Sequence, residues 1–287
     1  MLLDHLSLCT TLAVLRQDGQ TLGTGTAFVY EIPISSMSND KFLCLVTAYH
    51  VLTTHAPGDG QPNQGNFIDF WIHMSPDRPA MQKVCTLPLY TKSGQPTWLQ
   101  SLTCEQADIA VLPIPVRLLE GARDLRCLDA QWIESPLKLS VASTVAVVGY
   151  PYGFRDQLNG LPVWKTGTIA TEPYVDFQGQ PAFLVDVAAF EGMSGAPVVA
   201  LASGTWESED EPGNLIVGSS RRLLGVYTGM LMHDTKKYVE EVSPSLAQGV
   251  SYQESIQLGY VWKASLIQEI ATSLDLKRYI AEILRNT

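Results

Sequence analysis

Three short stretches of the sequence contain residue types that could act together as a nucleophilic catalyst. His50 lies in TAYHV, Asp108 begins DIAVL, and Ser194 lies in EGMSGAP. A serine hydroxyl is a poor nucleophile near neutral pH, so it needs a base within hydrogen-bonding distance and a carboxylate that orients that base. Histidine suits the role of base because its free pKa lies close to pH 7. The three residues therefore predict nucleophilic catalysis by a Ser-His-Asp set.

Each of the three has an ordinary explanation when it is considered alone. His50 follows the apolar run FLCLVT, and a single histidine is more often structural than catalytic. Asp108 could simply begin a strand, although a buried carboxylate needs partners because an unpaired one costs several kcal/mol. The glycines around Ser194 could form a plain turn. The prediction rests on the occurrence of all three contexts in one chain.

The residues next to Ser194 predict a site for a developing negative charge. Gly192 lets the backbone turn so that its own N–H and that of Ser194 can both point at an oxyanion. Each such donor contributes about 3 kcal/mol to stabilising the transition state. We therefore predict that Gly192 and Ser194 form an oxyanion hole.

The elements that position these residues are predicted to be mainly strands. Most of the chain consists of short runs rich in Val, Leu, Phe and Tyr, bounded by Gly, Pro, Asn, Asp or Ser, as is typical of strands. Apolar residues recur at helical spacing only near the end, from Ser265 to Leu284. Many short strands with a terminal helix favour an all-β barrel or sandwich over a βαβ sheet.

Composition limits the classes of function. The chain has 287 residues, is 46% hydrophobic and 17% charged, and has a formal net charge of −10. This hydrophobicity excludes a globally disordered chain. The acidic balance disfavours binding to nucleic acid or to an anionic membrane, because such proteins carry a basic footprint. Neither class of partner is therefore expected.

The cysteines and the amino terminus predict a cytoplasmic protein. The five cysteines are spread out without CxxC or metal-type spacing, so neither a disulfide framework nor a metal site is expected. The first residues, MLLDHLSLCTTLAVLR, have no positive charge before the apolar stretch, unlike a signal peptide. No run approaches the roughly 18 apolar residues of a membrane span. No cofactor is expected.

The three contexts, in the order His, Asp, Ser, resemble the chymotrypsin-like serine peptidases and their bacterial HtrA-like branch. α/β-Hydrolases and subtilases have other orders. Further stretches resemble the same family, namely GTGTAF (23–28), VVGYPYG (147–153), KTGTIAT (165–171), GVYTG (225–229) and GYVWKASLIQEI (259–270). GTGTAF also resembles a dinucleotide-binding loop, but a strand-type run follows it where that loop requires a helix.

The resemblance implies a trypsin-like fold of two six-stranded antiparallel β-barrels with a C-terminal helix. An N-terminal barrel over 1–120 would carry His50 and Asp108, and a linker would cover 121–140. A C-terminal barrel over 141–262 would carry Ser194, and the helix would cover 263–287. A PDZ domain like that of HtrA proteins is not expected, and the acidic segment 203–220 is expected to be a surface loop.

Two positions depart from the secreted members of the family. Val51 follows His50 where those members have a disulfide-bonded cysteine, and this leaves Cys44 without its usual partner. Met193 precedes Ser194 where they have the aspartate that pairs with a new amino terminus after zymogen cleavage. The sequence therefore predicts a protein of a reducing compartment that is not activated by insertion of its amino terminus.

The resemblance also implies where the primary substrate pocket lies. Its base would be formed by Ala188 and Ala189, and its other edge by Thr228, Gly229 and Met230. A pocket without charge favours small or apolar substrate side chains over Lys or Arg.

Two alternatives to an ordinary serine endopeptidase remain open. The chain could be a peptide-binding module that adds a peptide strand near 225–229 without turnover. It could also be a protease that stays inactive until a protein activator orders its loops.

Overall fold

A computed structural model describes residues 3–33, 41–238 and 249–273 of the chain. Twelve strands and four α-helices lie within these residues. The strands form two six-stranded antiparallel sheets, as the sequence predicted.

The first sheet contains the strands that precede residue 114. They are β1 (Thr10–Gln17), β2 (Gln20–Pro33), β3 (Lys41–Thr47), β4 (Phe67–His73), β5 (Gln82–Pro88) and β6 (Ala110–Pro113). Their spatial order is β5-β4-β1-β2-β3-β6, so β5 and β6 are not paired with each other. Instead, the N–H of Thr97 donates to the carbonyl of Leu89, and Leu99 exchanges two backbone hydrogen bonds with Val111. The first barrel is therefore bridged across this gap and is not strictly closed.

The second sheet closes on itself. Its strands are β7 (Thr144–Gly149), β8 (Val163–Ile169), β9 (Ala182–Asp186), β10 (Ala196–Glu207), β11 (Leu215–Tyr238) and β12 (Gly249–Lys263). The order β10-β11-β12-β9-β8-β7 forms a closed barrel.

The helices are short. They are α1 (His5–Cys9), α2 (Tyr49–Thr53), α3 (Ala130–Ile133) and α4 (Ser265–Thr272). The predicted C-terminal helix is present as α4. The rest of the helical pattern predicted up to Leu284 lies outside the described residues.

Strand periodicity explains how the two sheets pack together. In β7, Val145 and Val147 point into the second barrel, whereas Ala146 and Val148 belong to a cluster shared with residues of the first sheet. Alternate side chains of a strand lie on opposite faces, so a strand that is buried on both faces can serve two cores at once. The continuous apolar run of β7 follows from this position between the sheets.

The prediction that 203–220 is a surface loop is wrong. β10 continues to Glu207 and β11 begins at Leu215, with Ser203 opposite Ser219 and Glu207 opposite Leu215. Only the residues between the two strands form a turn. Acidic and turn-forming residues suggested a loop, but 215–217 is a β-prone Leu-Ile-Val run that pairs with Thr205 and Trp206.

The carboxylate of Glu269 joins α4 to the loop that leads to Asp108. It accepts hydrogen bonds from the hydroxyls of Ser101 and Thr103 and from the backbone N–H groups of Leu102 and Thr103. Burial opposes ionisation of this group, but these donors, Ser101 foremost, hold the pKa of Glu269 below its usual value.

Glu269→Gln is expected to lower the free energy of unfolding by about 1–2 kcal/mol at pH 7, because an ionised acceptor is lost from this cluster. A carboxyl group whose pKa is lowered by folding stabilises the protein above its unfolded pKa of about 4.3 and loses that effect as the pH falls through the folded value. The difference between the wild type and the variant should therefore shrink below about pH 4. Urea unfolding at several pH values measures it.

Glu105→Gln is the matched control. Glu105 lines the same surface cavity as Glu269, yet no hydrogen bond or ion pair of its carboxylate is present in the described ranges. A difference of the same size and pH dependence in both variants would contradict the role given to Glu269.

Candidate active site

His50 and Asp108 meet at the edge of the first sheet where β3 ends and β6 begins. His50 is the second residue of α2, which follows β3, and Asp108 lies just before β6. One carboxylate oxygen of Asp108 accepts from the His50 backbone N–H at 2.9 Å, and the other lies 2.6 Å from the ring Nδ1. Because a carboxylate only accepts, Nδ1 carries the proton and Nε2 of the neutral ring is free to act as a base.

The side chains of His50 and Asp108 are both partly buried. The His50 side chain is 32% exposed and that of Asp108 is 16% exposed. The two-point attachment holds both the backbone and the ring of His50, so the carboxylate sets the ring orientation as well as its tautomer.

Ser194 lies within two consecutive tight turns of the second barrel. The N–H of Met193 donates to the carbonyl of Phe190, and that of Ala196 donates to the carbonyl of Met193. Gly192 and Gly195 occupy the third position of these turns with φ values of +87° and +90°. Type II turns place glycine at this position because L side chains rarely adopt such a φ.

The backbone N–H groups of Gly192 and Ser194 are available for a ligand. Neither makes a hydrogen bond within the part of the chain that the structure describes. Both predicted oxyanion-hole residues therefore lie on the Ser194 loop, and their backbone N–H groups have no partner among the described residues.

Thr26 holds the Ser194 loop against the first sheet, and the sequence analysis missed it. This fully buried residue donates from its N–H to the Ser194 carbonyl and from its hydroxyl to the Gly192 carbonyl, both at 2.8 Å. Its hydroxyl also accepts from the Tyr150 N–H at 3.0 Å. The available signal was a polar residue at the start of the apolar run TAFVY.

The Ser194 hydroxyl is directed toward the second barrel in this structure. It donates to the carbonyl of Thr228 at 3.1 Å. Between the described residues Ser194 and His50 there is no hydrogen bond. Catalytic hydrogen bonds are often long or misaligned without substrate, and rotation about one side-chain bond would redirect this hydroxyl.

The predicted pocket residues belong to two segments of the second barrel, at 188–189 and at 228–230. Thr228 and Gly229 lie where the pairing of β11 with β12 shifts register. Ala189 is buried in the core of the second barrel, Met230 packs against that core, and Ala188 is exposed. The contact between Ser194 and Thr228 brings this strand next to the hydroxyl.

A cleft of about 500 Å³ opens next to Ser194 and His50. Its lining combines residues of both sheets, and they are Leu15, Gly23, Thr24, His50, Val51, Thr54, Tyr152, Glu191, Gly192 and Ser194. It shares no residue with the predicted primary pocket.

The described residues contain neither a metal-type cluster nor a membrane-spanning helix. Within residues 3–33, 41–238 and 249–273, no cluster of three or more His, Cys, Asp or Glu residues could hold a metal ion. No helix in these ranges is long and apolar enough to span a bilayer. All five cysteines are free, and burial raises the pKa of the Cys44 thiol.

The fold is that of the trypsin-like serine endopeptidases. A family profile described as a trypsin-like peptidase domain matches residues 25–206. This match covers more than half of the chain, and the chain therefore belongs to the trypsin-like peptidase family.

The solved structures that match this chain are distant from it in sequence. A serine endoprotease from Yersinia pestis is 13% identical, with a TM-score of 0.44 over 96% of this chain and 64% of that one. The thermostable serine protease AL20 from an extremophilic microorganism is 13% identical, with a TM-score of 0.45 and coverage of 93% and 97%. An inactive form of a protease from M. tuberculosis is 14% identical, with a TM-score of 0.43 and coverage of 92% and 88%. No curated protein matches significantly.

Proposed function

We propose that this chain hydrolyses peptide bonds through an acyl-enzyme, with Ser194 as nucleophile, His50 as general base and Asp108 as the residue that orients His50. The observation that carries the proposal is the two-point attachment of His50 to Asp108, at 2.9 and 2.6 Å, in the same cleft as Ser194.

The proposed reaction has two steps. The Ser194 oxygen bonds to the scissile carbonyl carbon while His50 Nε2 takes the hydroxyl proton. His50 then gives that proton to the leaving amine as the C–N bond breaks. A water molecule, deprotonated by His50, releases the acyl group and regenerates the hydroxyl. The N–H groups of Gly192 and Ser194 stabilise the oxyanion in both steps.

The substrate is a polypeptide whose acyl side lies along Thr228, Gly229 and Met230. Ala188 and Ala189 place no charge at the primary pocket, so we propose that small or apolar residues are preferred there. We also propose a reducing, cytoplasmic setting, because the buried thiols are unpaired.

A second candidate is a protease that needs a protein activator, or a peptide-binding module without turnover. The bond from the Ser194 hydroxyl to Thr228 favours it, because an unproductive hydroxyl direction is what an activator would correct. Binding of a partner to the strand at Thr228 would shift the equilibrium between two hydroxyl directions.

Labelling with a fluorophosphonate probe tests these candidates. The purified wild type should be labelled at close to one probe per chain, on the peptide containing Ser194, because the reagent requires an activated serine. Ser194→Ala should not be labelled under the same conditions, and Ser203→Ala, at an exposed strand position, is the matched control.

The outcomes separate the candidates. Labelling of the purified wild type, without labelling of Ser194→Ala, supports a self-sufficient enzyme. Labelling that needs cell lysate points to an activator. Absence of labelling in both conditions, with intact folding, contradicts proteolysis and leaves the peptide-binding module.

A further inference from the structure

We propose that the cleft beside His50 binds the substrate residue that follows the scissile bond, and that Tyr152 and Glu191 make it select a bulky apolar side chain and reject an acidic one. The inference rests on the proposed function, because it assigns one side of that reaction's substrate.

The position of His50 identifies the side of the substrate. The general acid must contact the leaving nitrogen, so residues beyond that nitrogen lie on the His50 side of Ser194. The cleft contains His50, Val51 and Thr54 of α2 and its cap, together with Thr24 from the first sheet. Thr228, which we place next to the acyl side, accepts a hydrogen bond from the Ser194 hydroxyl and is not part of the cleft lining.

The floor of the cleft is rigid and apolar. Leu15 and Val51 line it and are also members of the first sheet's buried core. Side chains locked by core packing cannot move aside for a ligand, so they offer a preformed apolar surface.

Tyr152 provides an aromatic wall. Its side chain is 69% exposed, and its ring centroid lies 5.9 Å from that of Phe190. Its backbone has φ +52°, which is uncommon for an aromatic residue, and its N–H donates to the Glu191 carbonyl at 2.6 Å. An exposed aromatic ring held in this way, at the edge of an apolar cleft, could cover an apolar substrate side chain.

Glu191 provides the discrimination by charge. Glu191 is an exposed residue of the cleft lining, and its carboxylate makes no hydrogen bond or ion pair within the described ranges. It is the one carboxylate among the lining residues that the structure describes. Lys165 packs over the ring of the neighbouring Phe190 at 5.1 Å and is not part of the lining. An acidic substrate side chain bound in the cleft would lie close to this carboxylate, and like charges at short range repel each other.

Partitioning of the acyl-enzyme measures this side of the substrate directly. An ester substrate with a constant acyl group forms the acyl-enzyme, and amino-acid amides then compete with water for it. The wild type should transfer the acyl group to leucinamide about tenfold better than to glycinamide, as expected for a small apolar pocket. Transfer to aspartamide should be poorer than transfer to glycinamide.

Variants of the two residues should change different ratios. Tyr152→Ala should reduce the leucinamide preference several-fold, and Tyr152→Phe should keep it because the ring remains. Glu191→Gln should improve transfer to aspartamide while leaving the leucinamide preference in place. Phe154→Ala is the matched control, because Phe154 is 65% exposed on the same loop and does not line the cleft.

The controls distinguish failure of this inference from failure of the proposed function. Fluorophosphonate labelling of each variant reports the state of Ser194 independently of the amides. A labelled enzyme with equal transfer to all amides, or a Tyr152→Ala enzyme with unchanged ratios, overturns the inference alone. An enzyme that is neither labelled nor acylated overturns the proposed function and the inference together.

Discussion

Asp108→Asn is expected to lower kcat for peptide hydrolysis on the order of 10⁴-fold, with little change in KM or in the fold. The Asp108 carboxylate holds the proton on Nδ1 of His50. An asparagine can still accept from the His50 backbone N–H, but its amide nitrogen would face Nδ1 as a donor. The imidazole proton would then sit on Nε2, and the base would have no lone pair for the Ser194 hydroxyl.

Steady-state kinetics with a peptide substrate, together with thermal unfolding, check this prediction. Asp69→Asn is the matched control, because Asp69 is also a partly buried carboxylate, paired with Arg16 and Thr86 in the first sheet. Its kcat should equal that of the wild type. A fall of less than tenfold for Asp108→Asn, with the native fold retained, would mean that His50 is not oriented by this carboxylate.

Gly195→Ala is expected to lower the free energy of unfolding by about 4 kcal/mol or more, the range of severe backbone and packing conflicts. Two separate costs combine at this position. The φ of +90° is unfavourable for an L side chain, and an added Cβ would lie 1.9 Å from the Thr26 carbonyl oxygen and 2.3 Å from the Thr47 hydroxyl. Relief would require the Ser194 loop to move away from the first sheet.

Gly204→Ala separates these two costs. Gly204 has a φ of +88°, but nothing lies within 4 Å of its added Cβ. Its loss should be limited to about 1–2 kcal/mol, the cost of the left-handed conformation alone. Urea unfolding of the two variants gives the difference. Equal losses would show that contact between the Ser194 loop and Thr26 does not restrict this glycine.

Catalytic activity should respond to the same change. The N–H of Gly195 donates to the Tyr227 carbonyl at 2.7 Å, and the Thr26 N–H donates to the Ser194 carbonyl. A shift of the loop would break these bonds and displace both proposed oxyanion donors. Gly204→Ala, on the outer part of the β10–β11 hairpin, should keep full activity.

Local pattern predicted many of the strands, whereas the arrangement in two six-stranded barrels was implied by the resemblance to the trypsin-like peptidases. Alternating burial along β4, with Ile68, Phe70 and Ile72 inside, follows directly from the period of a strand. The acidic residues at the turn of the 203–220 hairpin led to the prediction of a loop, although a β-prone run follows them. Strand pairing of Glu207 with Leu215 is a contact between segments, and composition alone does not report it.

Local pattern also located the candidate residues, but not how they interact. The sequence singled out His50, Asp108 and Ser194 from their neighbours. It missed Thr26, because the importance of this threonine lies in two carbonyl groups more than 160 residues away, at Gly192 and Ser194. It also could not show that the Ser194 hydroxyl donates to Thr228, since rotamers depend on the surrounding packing.

The sequence by itself determined the residue types available for chemistry, their order along the chain, and the positions where only glycine permits a turn. These are properties of single residues and of short periodic runs. Only the tertiary structure decided that Asp108 attaches to His50 at two points, that Thr26 holds the Ser194 loop, and that Tyr152 and Glu191 line a cleft beside His50. These distances join residues far apart in the chain, and they are determined by the packing of two sheets against each other.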